Sequence, residues 1–268
     1  MHPVDYHTHT CCSMDSEEAL EREVQQAIST GLKELCSTDH CDLLQESGQR
    51  LTELDWTPIL SQFEQAQSRL GHQISLRLGI ELGCPHVDPT CARNILAGAP
   101  LDFVIGSVHN QSPALGGIDF YFLKYETQQD CYRALDDYFA SMAQVVALPD
   151  CYDVLGHIIY PLRYMKGVSG PPISLARYED TLREIFTAVA QSGHGIEVNT
   201  YCGRTLHEWK PVLELYRTCG GEIVTIGSDA HTAQNIGLGA KEAIQLLQET
   251  GFSYLATYLR RQTQFVKL

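Results

Sequence analysis

The chain reads as a parallel α/β protein of seven strand–helix units. Three observations carry that reading. Apolar runs of strand length recur at 3–8, 32–38, 74–81, 101–108, 152–157, 195–199 and 222–229. Segments of helical periodicity follow them in alternation, and no Pro-, Gly- or charge-rich linker of domain scale divides them. A closed barrel and an open doubly wound sheet both satisfy this pattern. Residues 1–268 are expected to form one domain with a full hydrophobic core.

Each element has its own signal. The helix at 16–30 carries Leu20, Val24 and Ile28 on one stripe and stops at Gly31; "DSEE" (15–18) matches a capped start, with Asp15 as N-cap and an acid three residues on. "LKELCST" (32–38) is the second strand. Thr57-Pro58 opens a helix with Leu60, Phe63, Gln67 and Leu70 at helical spacing, closed by Gly71. "ISLRLGIE" (74–81) alternates Ile, Leu, Leu and Ile as a strand does, and Asp88-Pro89 starts a short helix reaching about residue 97. "LDFVIGSV" (101–108) is the fourth strand. The helix at 128–147 lines Ala134, Leu135, Tyr138, Phe139, Met142 and Val145 on its apolar side. "YDVLGH" (152–157), a helix at 179–192, "GIEVN" (195–199), a helix at 207–219, "EIVTIGSD" (222–229) and a helix at 238–250 complete the alternation, and "FSYLATYLRRQTQFVKL" trails off with weaker periodicity.

Composition excludes several classes of function. The net charge is −14, from 33 acidic against 19 basic residues, with no Lys/Arg cluster, so a surface that grips nucleic-acid backbone is not expected. Polar residues interrupt the N-terminus at His2, Asp5 and His7, and no apolar run is long enough to cross a bilayer; neither a signal peptide nor a membrane partner is expected. The ten cysteines are irregularly spaced without a Cys-x-x-Cys, which suits reduced thiols and a cytoplasmic protein. Gly-x-Gly-x-x-Gly and P-loop motifs are both absent, so no nucleotide cofactor is expected.

Metal-ligating residue types concentrate at strand ends. In "DYHTHT" (5–10), Asp5, His7 and His9 share one face of the first strand. Asp39-His40 follows the second strand, Glu81 ends the third, His109 follows the fourth, His157 ends the fifth, and Asp229 and His231 close the seventh. In a parallel barrel these carboxyl ends converge on one rim. With Asp15 the set is six imidazoles and three carboxylates, more than one ion takes, and its mixed nitrogen and oxygen donors admit Zn, Mn or Fe rather than Ca or Mg. Asp5 is placed to orient an imidazole. His2, His72, His86, His194 and His207 lack such placement and are assigned to surface or loop positions.

"HTH", "STDH", Glu81, "GSVH", "LGH" and "GSDAH", in that order over residues 5–231, resemble the PHP (polymerase and histidinol phosphatase) family. The resemblance implies a distorted (β/α)7 barrel with its active site at the carboxyl ends of the strands and a centre of three divalent transition-metal ions. One ion would take His7, His9, Glu81 and Asp229, a second Glu81, His109 and His157, and a third Asp15, His40 and His231. Some relatives have His where this chain has Asp15. "GGIDFYF" (116–122), "LGHIIYPLRY" (155–164) and "IEVNTYCGR" (196–204) resemble the histidinol-phosphatase branch, in which arginines at the places of Arg163 and Arg204 hold the substrate phosphate. Where relatives tend to have Asn-Thr-Ser, this chain has Asn199-Thr200-Tyr201-Cys202.

The implied activity is metal-dependent hydrolysis of a small phosphate monoester, L-histidinol phosphate, to L-histidinol and phosphate. Glu81, Asp229, Arg163 and Arg204 are the expected catalytic residues: a hydroxide shared by two ions attacks, the arginines steady the equatorial oxygens, and Asp229 or a metal-bound water protonates the leaving oxygen. Asp42 or Asp119, with Tyr121 or Tyr164, is expected to receive the substrate's ammonium and imidazole. Three divalent ions outweigh three ligand carboxylates, so the acidic chain does not repel a phosphate dianion locally. The rival substrates are nucleotides or polynucleotide ends on the same fold. An amidohydrolase is the rival chemistry, although no Lys ends a strand here to bridge two metals.

Overall fold

Strand register decides which inward side chains of this protein meet. The computed structural model describes residues 2–45 and 48–268. Strands β1 (Val4–Asp5), β2 (Glu34–Ser37), β3 (His40–Asp42), β4 (Ser75–Gly83), β5 (Phe103–Ser107), β6 (Val154–Leu155), β7 (Gly195–Asn199) and β8 (Val224–Gly227) are all parallel. They run in the order β1-β2-β4-β5-β6-β7-β8, and β3 continues the line of β2 along β4. Backbone bonds join the two ends: Tyr6 N–H donates to Ile226 O at 2.9 Å, Asp229 N–H to His7 O at 2.9 Å, and His9 N–H to Ala230 O at 2.8 Å. That thin seam makes the sheet a barrel and rules out the open doubly wound alternative.

Helices α1 (Leu20–Thr30), α2 (Thr57–Leu70), α3 (Pro89–Leu96), α4 (Gln128–Val146), α5 (Glu179–Gln191), α6 (Trp209–Thr218) and α7 (Ala240–Glu249) surround the sheet. Asp88 caps α3 by accepting from Cys91 N–H at 2.9 Å, and Thr127 and Asp130 form a capping box at α4. At α1 the expectation fails. The helix begins at Leu20 behind Ala19, which makes no side-chain cap, and Asp15 lies outside it with its carboxylate 2.9 Å from His231 Nε2. The imidazole outcompetes the helix terminus for that acid.

The tail read as weakly periodic is an antiparallel hairpin, β9 (Tyr254–Leu259) and β10 (Gln262–Lys267), lying across the amino-terminal mouth of the barrel. Arg260 N–H donates to Asp102 Oδ1 at 2.9 Å, and the Arg261 guanidinium meets Asp153 at 3.1 Å; both acids stand just before barrel strands. Tyr258 N–H donates to the Tyr6 hydroxyl at 2.8 Å. The Phe103 ring packs 4.9 Å from Tyr258 and edge-on at 5.0 Å from Tyr6. One mouth is therefore sealed by aromatic packing, which leaves the opposite rim for chemistry. No helix among the described residues is long and apolar enough to cross a membrane.

Phe103 is fully buried in this plug. Phe103→Ala is expected to destabilise the protein by about 3–5 kcal/mol, the usual cost of removing a core aromatic. A urea midpoint equal to that of the parent would show that the hairpin packs nothing essential.

Candidate metal centre

Glu81 lies at the middle of the open rim. The β3–β4 register sets His40 beside it, and the strand ends of β1, β5 and β6 aim His7, His9, His109 and His157 inward. Glu81 Oε2 lies 3.1 Å from His7 Nε2, 3.6 Å from His9 Nε2 and 3.0 Å from His40 Nδ1; its Oε1 lies 3.1 Å from His109 Nε2 and 2.8 Å from His157 Nε2. Asp229 adds Oδ1 at 3.7 Å from His7 Nε2 and 3.4 Å from His9 Nε2. His231 and His40 face Asp15 Oδ2 at 2.9 and 3.6 Å.

These side chains form three-residue sets whose donor atoms lie within 4.8 Å of one another: His7, His9 and Asp229; Glu81, His109 and His157; His9, His40 and His231; and His40, Asp42 and His109. His7 Nε2, His9 Nε2, His40 Nδ1 and Glu81 Oε2 are buried with no hydrogen-bond partner although they face one another. Buried polar atoms are ordinarily satisfied. Close approach without hydrogen bonding is what ligand atoms do around a cation, so the donors present fit divalent metal.

The charges agree. Burial opposes the Glu81 carboxylate, yet His7, His109 and His40 hold its pKa well below the carboxylate range. Burial likewise opposes Asp229, and His7 with Arg163 holds its pKa well below the carboxylate range. Among the imidazoles, burial is outweighed at His7 by Glu197, Glu81 and Asp229, whereas burial together with His40 and His231 drives His9 well below its ordinary value. The cluster cannot be protonated throughout.

A profile of the PHP domain matches residues 5–201. The chain belongs to the PHP domain family. A histidinol-phosphatase of Lactococcus lactis subsp. lactis (strain IL1403) is 30% identical over 271 residues, covering 96% of this chain and 95% of that protein. The crystal structure of a histidinol phosphate phosphatase from that organism, complexed with Zn, L-histidinol and phosphate, superposes with a TM-score of 0.83 at 28% identity and covers 98% of each chain. A solved chain from Listeria monocytogenes shares the fold, with a TM-score of 0.72 at 18% identity over 89% of this chain and 99% of that one.

The remaining expected residues of this PHP chain line a cavity of about 450 Å³ over the centre. Arg163, almost fully buried, donates to Asp229 Oδ2 at 2.8 Å and to Asn199 Oδ1 at 2.7 Å. Arg204 is exposed at the rim. Asp119 accepts from Tyr121 N–H at 2.7 Å and from the Tyr160 hydroxyl at 3.2 Å, and the Tyr164 ring stands edge-on to Tyr121 at 5.3 Å. Asp42 lines the cavity and places Oδ1 2.6 Å from His109 Nδ1 and Oδ2 3.4 Å from His40 Nδ1.

Asp5 does not orient His7 by its ring. It accepts from Ser228 N–H at 2.8 Å and from Gly237 N–H at 2.8 Å, tying β1 to the end of β8. The acid on the ring is Glu197: Oε1 lies 2.5 Å from His7 Nδ1, and Oε2 accepts from His157 N–H at 2.9 Å. Its signal was present in "GIEVN", where Glu197 and Asn199 alternate with Ile196 and Val198 as His7 and His9 do with their neighbours. Gly227 makes room for this pair, since a Cβ there would stand 2.3 Å from His7 Cβ and 2.4 Å from Glu197 Oε1.

Burial lowers the basicity of His40, but Glu81 and Asp15 outweigh it and push its pKa up to about 10 when no cation is bound. A ligating nitrogen must give up its proton. Zinc added to chelator-stripped protein at pH 7 is therefore expected to displace protons, and apparent zinc affinity should climb with pH and level off above that pKa. Calorimetry in buffers of different ionisation enthalpy counts the protons; zero net release at pH 7 would contradict the charge pattern described.

Proposed function

We propose that this chain is a metal-dependent phosphatase that converts L-histidinol phosphate to L-histidinol and phosphate. The observation that carries the reading is the pairing, in one cavity, of unpartnered buried imidazole and carboxylate atoms with the guanidiniums of Arg163 and Arg204. The Lactococcus relative, with zinc, L-histidinol and phosphate bound, supports the substrate. Three ions are proposed, held by His7, His9, Glu81 and Asp229, by Glu81, His109 and His157, and by Asp15, His40 and His231; the imidazole-rich donors favour zinc. When bound, the ions supply positive charge to the phosphoryl oxygens and make a water acidic enough to attack at neutral pH.

The chain's own side chains do the rest. Arg163 and Arg204 take phosphate oxygens by directed N–H bonds. Two N–H groups of Arg163 are committed to Asp229 and Asn199, which fix the plane of the fork and leave its other donors for substrate. Asp119 and Tyr164 receive the ammonium and imidazole, while Asp42 steadies His109 and His40. Residues 1–268 work as one unit, because β8, beyond the profile-matched stretch, carries Asp229 and His231 to the rim. The ten cysteines are free thiols, which fits a cytoplasmic enzyme.

Phosphate release from L-histidinol phosphate is expected to vanish on chelation and return with zinc, and nucleoside monophosphates should be poorer substrates. A nucleotide preferred over L-histidinol phosphate would overturn the substrate assignment. His109→Ala should lower kcat by more than about a hundredfold, beyond the usual loss for an outer-shell partner, while His72→Ala, at an exposed turn, leaves it unchanged. Equal effects would misplace the site.

A further inference from the structure

In the segment that follows β7 this chain has a tyrosine at 201, and its backbone is unusual. Tyr201 has φ 47° and Cys202 φ 52°, both left-handed, before Gly203 at φ 83°. A bulky side chain rarely adopts that conformation, and such residues persist where their surroundings over-determine them. The turn is held by its backbone: Tyr201 N–H donates to Asn199 Oδ1 at 2.9 Å, Cys202 N–H to Ser228 O at 2.8 Å, and Arg204 N–H to Tyr201 O at 3.1 Å. A glycine at 201 keeps every one of these bonds and is better suited to the conformation. The ring is what it would lose.

That ring lies at the junction of the two arginines. Arg163 Cζ stands 4.2 Å from its centroid and Arg204 Cζ 5.0 Å from it. Arg163 is also steadied by Asp229, by Asn199 and by the Tyr160 ring at 5.2 Å. Among the described residues the Arg204 side chain has no ion pair or hydrogen bond, so the Tyr201 face is its anchor. An aromatic face attracts a guanidinium and restricts its rotamers.

We propose that Tyr201 is a positioning residue whose ring, presented by the left-handed turn, holds the Arg204 guanidinium beside that of Arg163 in the geometry that receives the substrate phosphate. This rests on the reading of both arginines as phosphate-binding. By ordering Arg204 beforehand, the ring lessens the entropy lost on binding. It touches no reacting atom, so its effect falls on binding rather than on the chemical step.

The test compares Tyr201→Gly, Tyr201→Phe and Arg204→Ala as zinc-loaded full-length proteins. L-histidinol phosphate kinetics, inhibition by inorganic phosphate and the urea midpoint are measured for each. Tyr201→Gly is expected to raise KM and the phosphate inhibition constant about two- to fivefold, the scale of one solvent-exposed cation–π contact, with kcat within about twofold of the parent. Its urea midpoint should be unchanged or higher, and Tyr201→Phe should behave as the parent. Unchanged KM and phosphate inhibition in Tyr201→Gly, beside a clear loss in Arg204→Ala, overturns the proposal and leaves the arginine reading standing. No effect in Arg204→Ala overturns the arginine reading and this proposal with it. A lowered urea midpoint in Tyr201→Gly, or a loss in Tyr201→Phe equal to that in Tyr201→Gly, assigns the residue a packing or hydroxyl role and sinks the ring argument.

Discussion

Glu81 is an anion with no exposed surface, ringed by five imidazoles at 2.8 to 3.6 Å. A desolvated carboxylate is costly unless paired, and imidazoles crowded together cannot all be charged. The two oxygens divide the ring: Oε1 serves His109 and His157, while Oε2 serves His7, His9 and His40. That division is the geometry of a carboxylate shared between two cation sites. Ser107 Oγ donates to Oε1 at 2.7 Å and so helps to fix the side chain's orientation. The side chains around Glu81 are arranged to serve its two oxygens.

Support spreads outward from that carboxylate in layers. Glu197 holds His7, Asp42 holds His109, and Asp39 ties down the loop that carries Ser13 to within 3.2 Å of His9 Nδ1. Several of these acids need space that a side chain would fill. A Cβ on Gly83 would come within 1.7 Å of Asp42 Oδ1, as one on Gly227 would meet Glu197. The barrel is thus polarised along its axis. Aromatic rings and the hairpin close one mouth, and the candidate metal-ligating side chains collect at the other.

Legibility followed the range of the interactions. Strand β7 matched the pattern at 195–199 because its signal is local alternation. The convergence of the candidate ligands could be read because parallel strands present their carboxyl ends to one rim, so order along the chain stands in for proximity in space. The C-terminal hairpin was not legible. Its two-residue loop is Arg260-Arg261 at φ 52° and 59°, with none of the Asn or Gly such loops favour, and it is held by Asp102 and Asp153 far away in sequence. Asp15 misled for the same reason in reverse: "DSEE" carries a genuine capping pattern, and a histidine more than two hundred residues on claims the acid. Glu197 escaped notice because an acid within a short apolar strand looks like a flaw until the opposite wall of the barrel is known.

The acidity of the whole chain bears little on an anionic substrate, because charge is sorted locally. Asp229 turns Oδ1 toward His7 and His9 and Oδ2 toward Arg163 and Asn199, so one carboxylate joins the candidate cation site to the Arg163 guanidinium. Arg163 is thereby held in register with the centre by an ion pair that is out of solvent and weakly screened. Arg204 has no such tether and stands exposed at the rim. The two arginines differ in kind: one is tied to Asp229 by a buried ion pair, and the other rests against the Tyr201 ring.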